Sequence, residues 1–194
     1  VDEAKVEARR VPDSLGPYVE RGVPIVGLEP SCLLGLRDEF TVLQQGKAAE
    51  AMAANAFLFE EFLIREADAG RLALPFKALE QKRAHVHGHC HQKAFAVMGS
   101  VERALGLIPD LEVQVINSSC CGMAGSFGYQ PENQDISRSM AEARLLPAVR
   151  AIGTDELIVA DGTSCRHQIA VGAARDAVHV ARVLADALVE REAI

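Results

Sequence analysis

The sequence is short of most features that announce a function. Lys and Arg total 20 against 27 Asp and Glu, giving a net charge of −7 and a pI near 5.4. A nucleic-acid partner needs clustered cationic side chains to neutralise phosphates, so this balance argues against one. No apolar run reaches the roughly 18 residues that suggest a membrane-spanning helix. No stretch has the pattern of a secretory signal. Cysteine is scarce and odd in number, with five residues at 32, 90, 120, 121 and 165. A secreted scaffold stapled by disulfides would be shorter and denser in Cys. The reading that remains is cytoplasmic, with metal binding or redox chemistry as the leading uses of the thiols. The glycines at 122, 125 and 128 do not make the GxGxxG of a dinucleotide-binding turn. Nothing marks a nucleophile beside its base, as a Cys–His hydrolase would need.

What is present is ordinary globular material. The 194 residues are 49% hydrophobic and 24% charged, enough for a sizeable core without a linker or low-complexity segment. Residues 1–22 read as a polar, partly helical lead-in broken at Pro12. VPIVGLE (23–29) reads as a buried strand, followed by a turn at Pro30 and a helix over about 32–39. Met52, Ala56, Phe59 and Leu63 fall on one helical face and predict a long helix over about 47–68, stopped at Gly70. The pattern then alternates. Strands are expected at 84–90, 111–118 and 156–161, and helices at 93–107, 132–151, 165–174 and 178–192. Strands separated by helices imply an α/β fold, a mainly parallel sheet with helices on both faces.

Two segments repeat. IVGLEPSC (25–32) and IVADGTSC (158–165) share Ile-Val and, four residues on, Ser-Cys. Each places a Cys just past a strand, at the start of a helix. Sites in open α/β sheets form at the carboxyl ends of strands, and a helix N-terminus favours the thiolate that binds metal. The expectation is an internal duplication whose first half is truncated: residues 1–75 are the remainder of a first repeat and 80–194 a second, together one cysteine-rich domain. Cys32 would then be an orphaned ligand of the first repeat, and the chain a C-terminal piece of a longer polypeptide.

The other four cysteines, Cys90, Cys120, Cys121 and Cys165, all follow expected strands. In a parallel sheet those ends share one edge, so thiols distant in sequence can converge. Four thiolates suit an iron–sulfur cluster or zinc. Gly122 and Gly125 fit the sharp turns and close approach that consecutive Cys ligands require. In HVHGHCHQK (85–93) four histidines alternate. His89 and His91, which flank Cys90, and His167, two after Cys165, read as supporting residues around such a centre, with direct ligation as the alternative. His85 reads as solvated and His179 as a helix-surface residue. Glu29 and Asp161 occupy corresponding repeat positions and read as turn-capping.

GLEPSCLLGLRDEF (27–40), HGHCHQKA (87–94), CCGMAGSFGY (120–129) and GTSCRHQI (162–169) together resemble the cysteine-rich CCG domain. That domain occurs in heterodisulfide reductases, glycolate oxidase iron–sulfur proteins and lactate-utilisation proteins. The wording is most similar to the C-terminal part of fused D-lactate or D-2-hydroxyglutarate dehydrogenases. The resemblance implies metal ligation by Cys90, Cys120, Cys121 and Cys165, and a [4Fe–4S] cluster with zinc as the alternative. It implies electron transfer from FAD on a separate FAD-linked oxidase domain, with a ferredoxin-like domain as neighbour and a quinone or electron carrier as acceptor. It also implies a cytoplasmic location compatible with peripheral attachment at the inner membrane. The chain departs from the family at Cys165-Arg166-His167-Gln168, which lacks the second Cys of a terminal Cys-x-x-Cys. That removes the fifth thiolate of a noncubane cluster.

Overall fold

The structure is a computed structural model and describes residues 2–189. In chain order it runs α1 (Asp2–Val19), β1 (Ile25–Gly27), α2 (Pro30–Leu34), α3 (Glu39–Leu43), α4 (Lys47–Asn55), β2 (Ala56–Leu58) and α5 (Phe59–Asp68). It continues with β3 (Arg83–Val86), α6 (Cys90–Ala94), α7 (Met98–Leu105), β4 (Glu112–Val115), α8 (Gln134–Glu142), α9 (Leu145–Ala151), β5 (Leu157–Val159), α10 (Thr163–Ala173) and α11 (Val180–Ala187).

The class is α/β with parallel strands, divided into two short sheets. β1 pairs with β2, and β3 lies between β4 and β5. Alternation along the strands sorts side chains between two cores. Ala84, Val86, Val113, Leu157 and Val159 meet α5, α7 and α11 on one face. Ile116, Ile158 and Ala160 meet α9, α10 and the cysteine loop on the other. A third cluster packs α1 against α3 and α4.

Several sequence expectations are corrected. α1 runs through Pro12 and Pro17 instead of breaking at Pro12. The long helix expected over 47–68 is cut at Ala56, which turns extended (φ −91°, ψ 121°) so that Ala56–Leu58 can pair with β1. Propensity lost there to ladder hydrogen bonds and burial, since Ala56 and Leu58 are fully buried. The helix expected over 93–107 divides at Ala96, which adopts a positive φ of 55°. Cys90 opens α6 rather than closing β3. The part of the last expected helix beyond residue 189 lies outside the described residues.

Long-range polar contacts tie the two halves together. Glu29, after β1, accepts hydrogen bonds from the Thr163 N–H and hydroxyl, both 2.9 Å, and so caps α10 across the molecule. Asp161 accepts from the Val180 N–H at the start of α11 (3.0 Å). His179 is not a free surface residue. Its Nδ1 accepts from Ala181 N and its Nε2 donates to Leu28 O at 2.8 Å. Buried beneath the site, Gln92 Nε2 donates to both Glu60 and Asp161, each 2.8 Å away. Among the described residues no helix is long and apolar enough to cross a membrane.

Candidate metal centre

The three-stranded sheet places the cysteines. Its strands are parallel, so the segments leaving β3, β4 and β5 emerge at one edge. The central strand β3 leads through His87 to Cys90, β4 leads to Cys120 and Cys121, and β5 leads to Cys165. His87 stays in register with the sheet, its N–H donating to Val159 O at 2.8 Å.

A cavity of about 370 Å³ opens at this edge, lined by Cys90, Cys120, Cys121, His89, His91 and Gly125 among others. Cys90 is exposed, Cys120 partly so, and Cys121 and Cys165 are buried. The sulfurs form two groups. Cys90 sits against Cys120 near the surface, and its thiol is pushed up to about 11, first by burial and then by Cys120. Deeper, Cys165 donates S–H to Cys121 at 3.4 Å. Cys121, Cys165 and His87 bring their donor atoms within 4.8 Å of one another. The Cys165 S–H, with the Met123 N–H beside it, holds Cys121 well below the usual thiol range despite burial. Cys165 is pushed in the opposite direction, by Cys121 first and burial second. The helix N-terminus alone suggests a thiolate at Cys165. Two buried thiols this close share one proton more readily than they lose both.

The loop is shaped for this packing. Gly122 has φ +87°, and its N–H donates to Cys120 Sγ at 3.2 Å. A Cβ there would run into the Ser137 carbonyl of α8. Gly125 also has positive φ (+65°), but the space around it is open. At Gly162 a Cβ would come within 2.6 Å of the His89 ring and 3.2 Å of Cys165 Sγ, so this glycine lets α10 and the His89 turn close on the site. Lys93 Nζ donates to the Ser118 and Ser119 carbonyls, both at 2.7 Å, and its charge acts on all four thiols.

The remaining sequence candidates separate. His89 caps α6, its Nδ1 accepting from the His91 N–H at 3.2 Å. His91 Nδ1 is buried without a partner. His167 faces a different cavity of about 230 Å³, where its Nδ1 pairs with Tyr129 OH at 2.8 Å. Cys32 is exposed in α2 and is not among the cavity residues, although its neighbour Ser31 is. His85 is paired rather than solvated, its Nε2 lying 2.9 Å from Glu156 Oε2.

Sequence reasoning missed His87. It is 1% exposed, its Nδ1 is 2.7 Å from Ser118 Oγ, and its Nε2 has no hydrogen-bond partner. Buried polar atoms are normally satisfied, so this orphan beside two cysteine sulfurs is an observation in favour of a cation at that point. The donor set, sulfur-rich with imidazole, fits zinc or iron–sulfur chemistry and not a hard oxygen-seeking ion.

Fold and site together define a thiol-rich α/β domain with its donor atoms gathered at the carboxyl edge of a parallel sheet. Two kinds of known protein are similar to it. The chain is 31% identical over 189 residues to one of the subunits of the anaerobic glycerol-3-phosphate dehydrogenase of Escherichia coli (strain K12), covering 96% of this chain and 46% of that protein. It is 26% identical over 164 residues to the D-2-hydroxyglutarate dehydrogenase of the same organism, covering 84% of the chain and 15% of that protein. The corresponding Haemophilus influenzae enzyme is 25% identical over 166 residues. The chain thus spans about half the length of the first relative and a small part of the others. No protein-family model matches the chain. No solved structure matches it either.

Proposed function

We propose that this chain is an iron–sulfur electron-transfer module of the CCG type, part of a flavin-linked dehydrogenase. The observation that carries the reading is that Cys90, Cys120 and Cys121 line one cavity at the edge of a parallel sheet, with Cys165 buried behind it against Cys121. In this reading those four side chains hold a [4Fe–4S] cluster. Bound there, the cluster would supply one-electron redox chemistry. The chain's own contribution is to set the potential and shield the site. Lys93 offsets thiolate charge, the Gly122 N–H stabilises charge on Cys120 sulfur, and burial keeps Cys121 and Cys165 from water. Cys32 belongs to the first of two repeats, and the whole chain is one domain.

The relatives support the same reading from a second direction. Glycerol 3-phosphate and D-2-hydroxyglutarate are both small anions bearing a secondary alcohol. Oxidation of such an alcohol is assigned here to an FAD-linked partner protein or domain, assisted by a ferredoxin-like domain. The electrons then cross this module to a quinone or soluble carrier. A zinc site is the second reading, favoured by the compact His87–Cys121–Cys165 group, whose donors alone suffice for a three-coordinate protein site.

A redox titration separates the two. Protein prepared without oxygen should show a visible absorption that bleaches with dithionite and returns on reoxidation. Cys121→Ser should abolish it. A colourless protein with unchanged spectrum under dithionite contradicts the electron-transfer reading.

A further inference from the structure

We propose that His87 is a direct ligand of this centre, binding through Nε2 the metal that Cys121 and Cys165 hold. The proposal rests on the iron–sulfur reading above and adds a donor that neither the cysteine spacing nor the resemblance assigned.

Three observations lead to it. First, His87 is built into the fold as a fixed donor. It continues the central strand, its N–H bonded to Val159 O, and its side chain is 1% exposed. Second, its hydrogen bonds fit one tautomer. Ser118 Oγ lies 2.7 Å from His87 Nδ1 and 3.4 Å from Ile116 O, an arrangement that accommodates Nδ1–H donating to Ser118 while the hydroxyl points to Ile116. In that tautomer Nε2 is the nitrogen left free to bind a metal. This is the arrangement of metal-bound histidines, in which the far nitrogen donates to an orienting group. Third, Nε2 has no hydrogen-bond partner, and a His87 ring nitrogen lies within 4.8 Å of both the Cys121 and Cys165 sulfurs. Lone pairs facing one another across a dry space repel, and a cation among them removes the conflict.

The other histidines are disposed differently. His89 Nδ1 accepts a backbone N–H, which places the proton of its neutral ring on Nε2 and leaves no lone pair for a metal. His167 turns to Tyr129, His179 to Leu28 and His85 to Glu156. His91 is buried without a partner at Nδ1, but it is not in the group whose donor atoms converge. With His87 bound, the chain has a fifth donor despite lacking the second Cys of a terminal Cys-x-x-Cys. A neutral imidazole in place of a fifth thiolate adds no negative charge to an iron–sulfur centre and so gives a higher potential than that thiolate would.

The experiment uses the chain labelled with ¹⁵N-histidine, reconstituted anaerobically with ferrous iron and sulfide, reduced, and examined by pulsed electron paramagnetic resonance. The expected result is a strong hyperfine coupling from directly bonded nitrogen. It persists in His89→Gln and His91→Gln and falls to background in His87→Gln. The wild-type spectrum and the two flanking variants decide the matter even if His87→Gln does not fold. Iron uptake with no directly bonded nitrogen overturns the His87 assignment and leaves the cysteine centre standing. So does coupling that survives in folded His87→Gln or vanishes with His89 or His91. Failure to take up iron at all overturns both the ligand and the electron-transfer reading.

Discussion

Replacing Gly122 and Gly125 with alanine, one at a time, separates backbone strain from steric conflict in the cysteine loop. Both residues have positive φ, +87° and +65°. An L-residue in that region costs on the order of 1–2 kcal/mol, so both variants share this term. They differ in surroundings. A methyl group at 125 meets nothing within 4 Å, whereas at 122 it meets the backbone of Ser137, with the carbonyl carbon at 2.9 Å and Cα at 3.1 Å. Ser137 lies inside α8 and is buried, so the neighbour is a packed helix and not a flexible side-chain end. Overpacking of this kind adds about 1–3 kcal/mol. Gly125→Ala should therefore cost about 1–2 kcal/mol and Gly122→Ala about 2–5 kcal/mol. For a chain of this size that corresponds to melting shifts of roughly 2–8 °C and 4–20 °C. Urea unfolding at constant m-value measures the difference directly. Gly122→Ala should also reduce bound iron, because the same residue donates its N–H to Cys120 sulfur. Equal destabilisation by the two variants would refute the reasoning, since it would leave no role for the contact with α8.

Glu60 is buried, and burial together with the charge of Asp161 raises its carboxyl to about 7 from an ordinary 4.5. A raised acid favours the fold while protonated, so stability is greatest below about pH 4.5 and declines as pH rises through 7, by about 3 kcal/mol in all. Glu60→Gln should flatten that decline and unfold later than the native chain at pH 8. Parallel stability curves from pH 5 to 8 would exclude Glu60 as its source. Lys93→Met removes the cation that holds the Ser118 and Ser119 carbonyls and should cost about 1–3 kcal/mol, with Lys93→Arg in between; calorimetry that ranks arginine with methionine would count against a charge-specific role. Cys32→Ser should leave iron content unchanged while Cys121→Ser reduces it sharply, and equal losses would place Cys32 in the same centre. The chain alone should not oxidise D-2-hydroxyglutarate or glycerol 3-phosphate with a dye acceptor, even with added FAD; turnover would overturn the assignment of that step to a partner.

What the sequence made legible is what depends on rare residues and on period. Strands alternating with helices led to the parallel α/β class, and scarce cysteines following strands pointed to a set of which Cys90, Cys120 and Cys121 line one cavity. Less legible was anything that depends on a partner distant in the chain. Ala56–Leu58 fits a helical face as well as a strand, and only pairing with Ile25–Gly27 decides between them. Glu29 reads as a local turn cap, yet its partner is Thr163, 134 residues away. His87 was hidden among four alternating histidines. One signal could have found it. Ala84 and Val86 are the apolar positions facing one core, so His85 and His87 face the other, the side that holds Cys121 and Cys165. Of these two, His87 is the nearer to the strand's carboxyl end, where the cysteines arrive.

The central claim is that the converging thiols hold an iron–sulfur cluster, and elemental analysis of anaerobically purified protein tests it most directly. The account predicts about four iron and four sulfide per chain, the composition of a [4Fe–4S] centre, with iron lost on Cys121→Ser or Cys165→Ser. One zinc per chain with no iron and no acid-labile sulfide would contradict it.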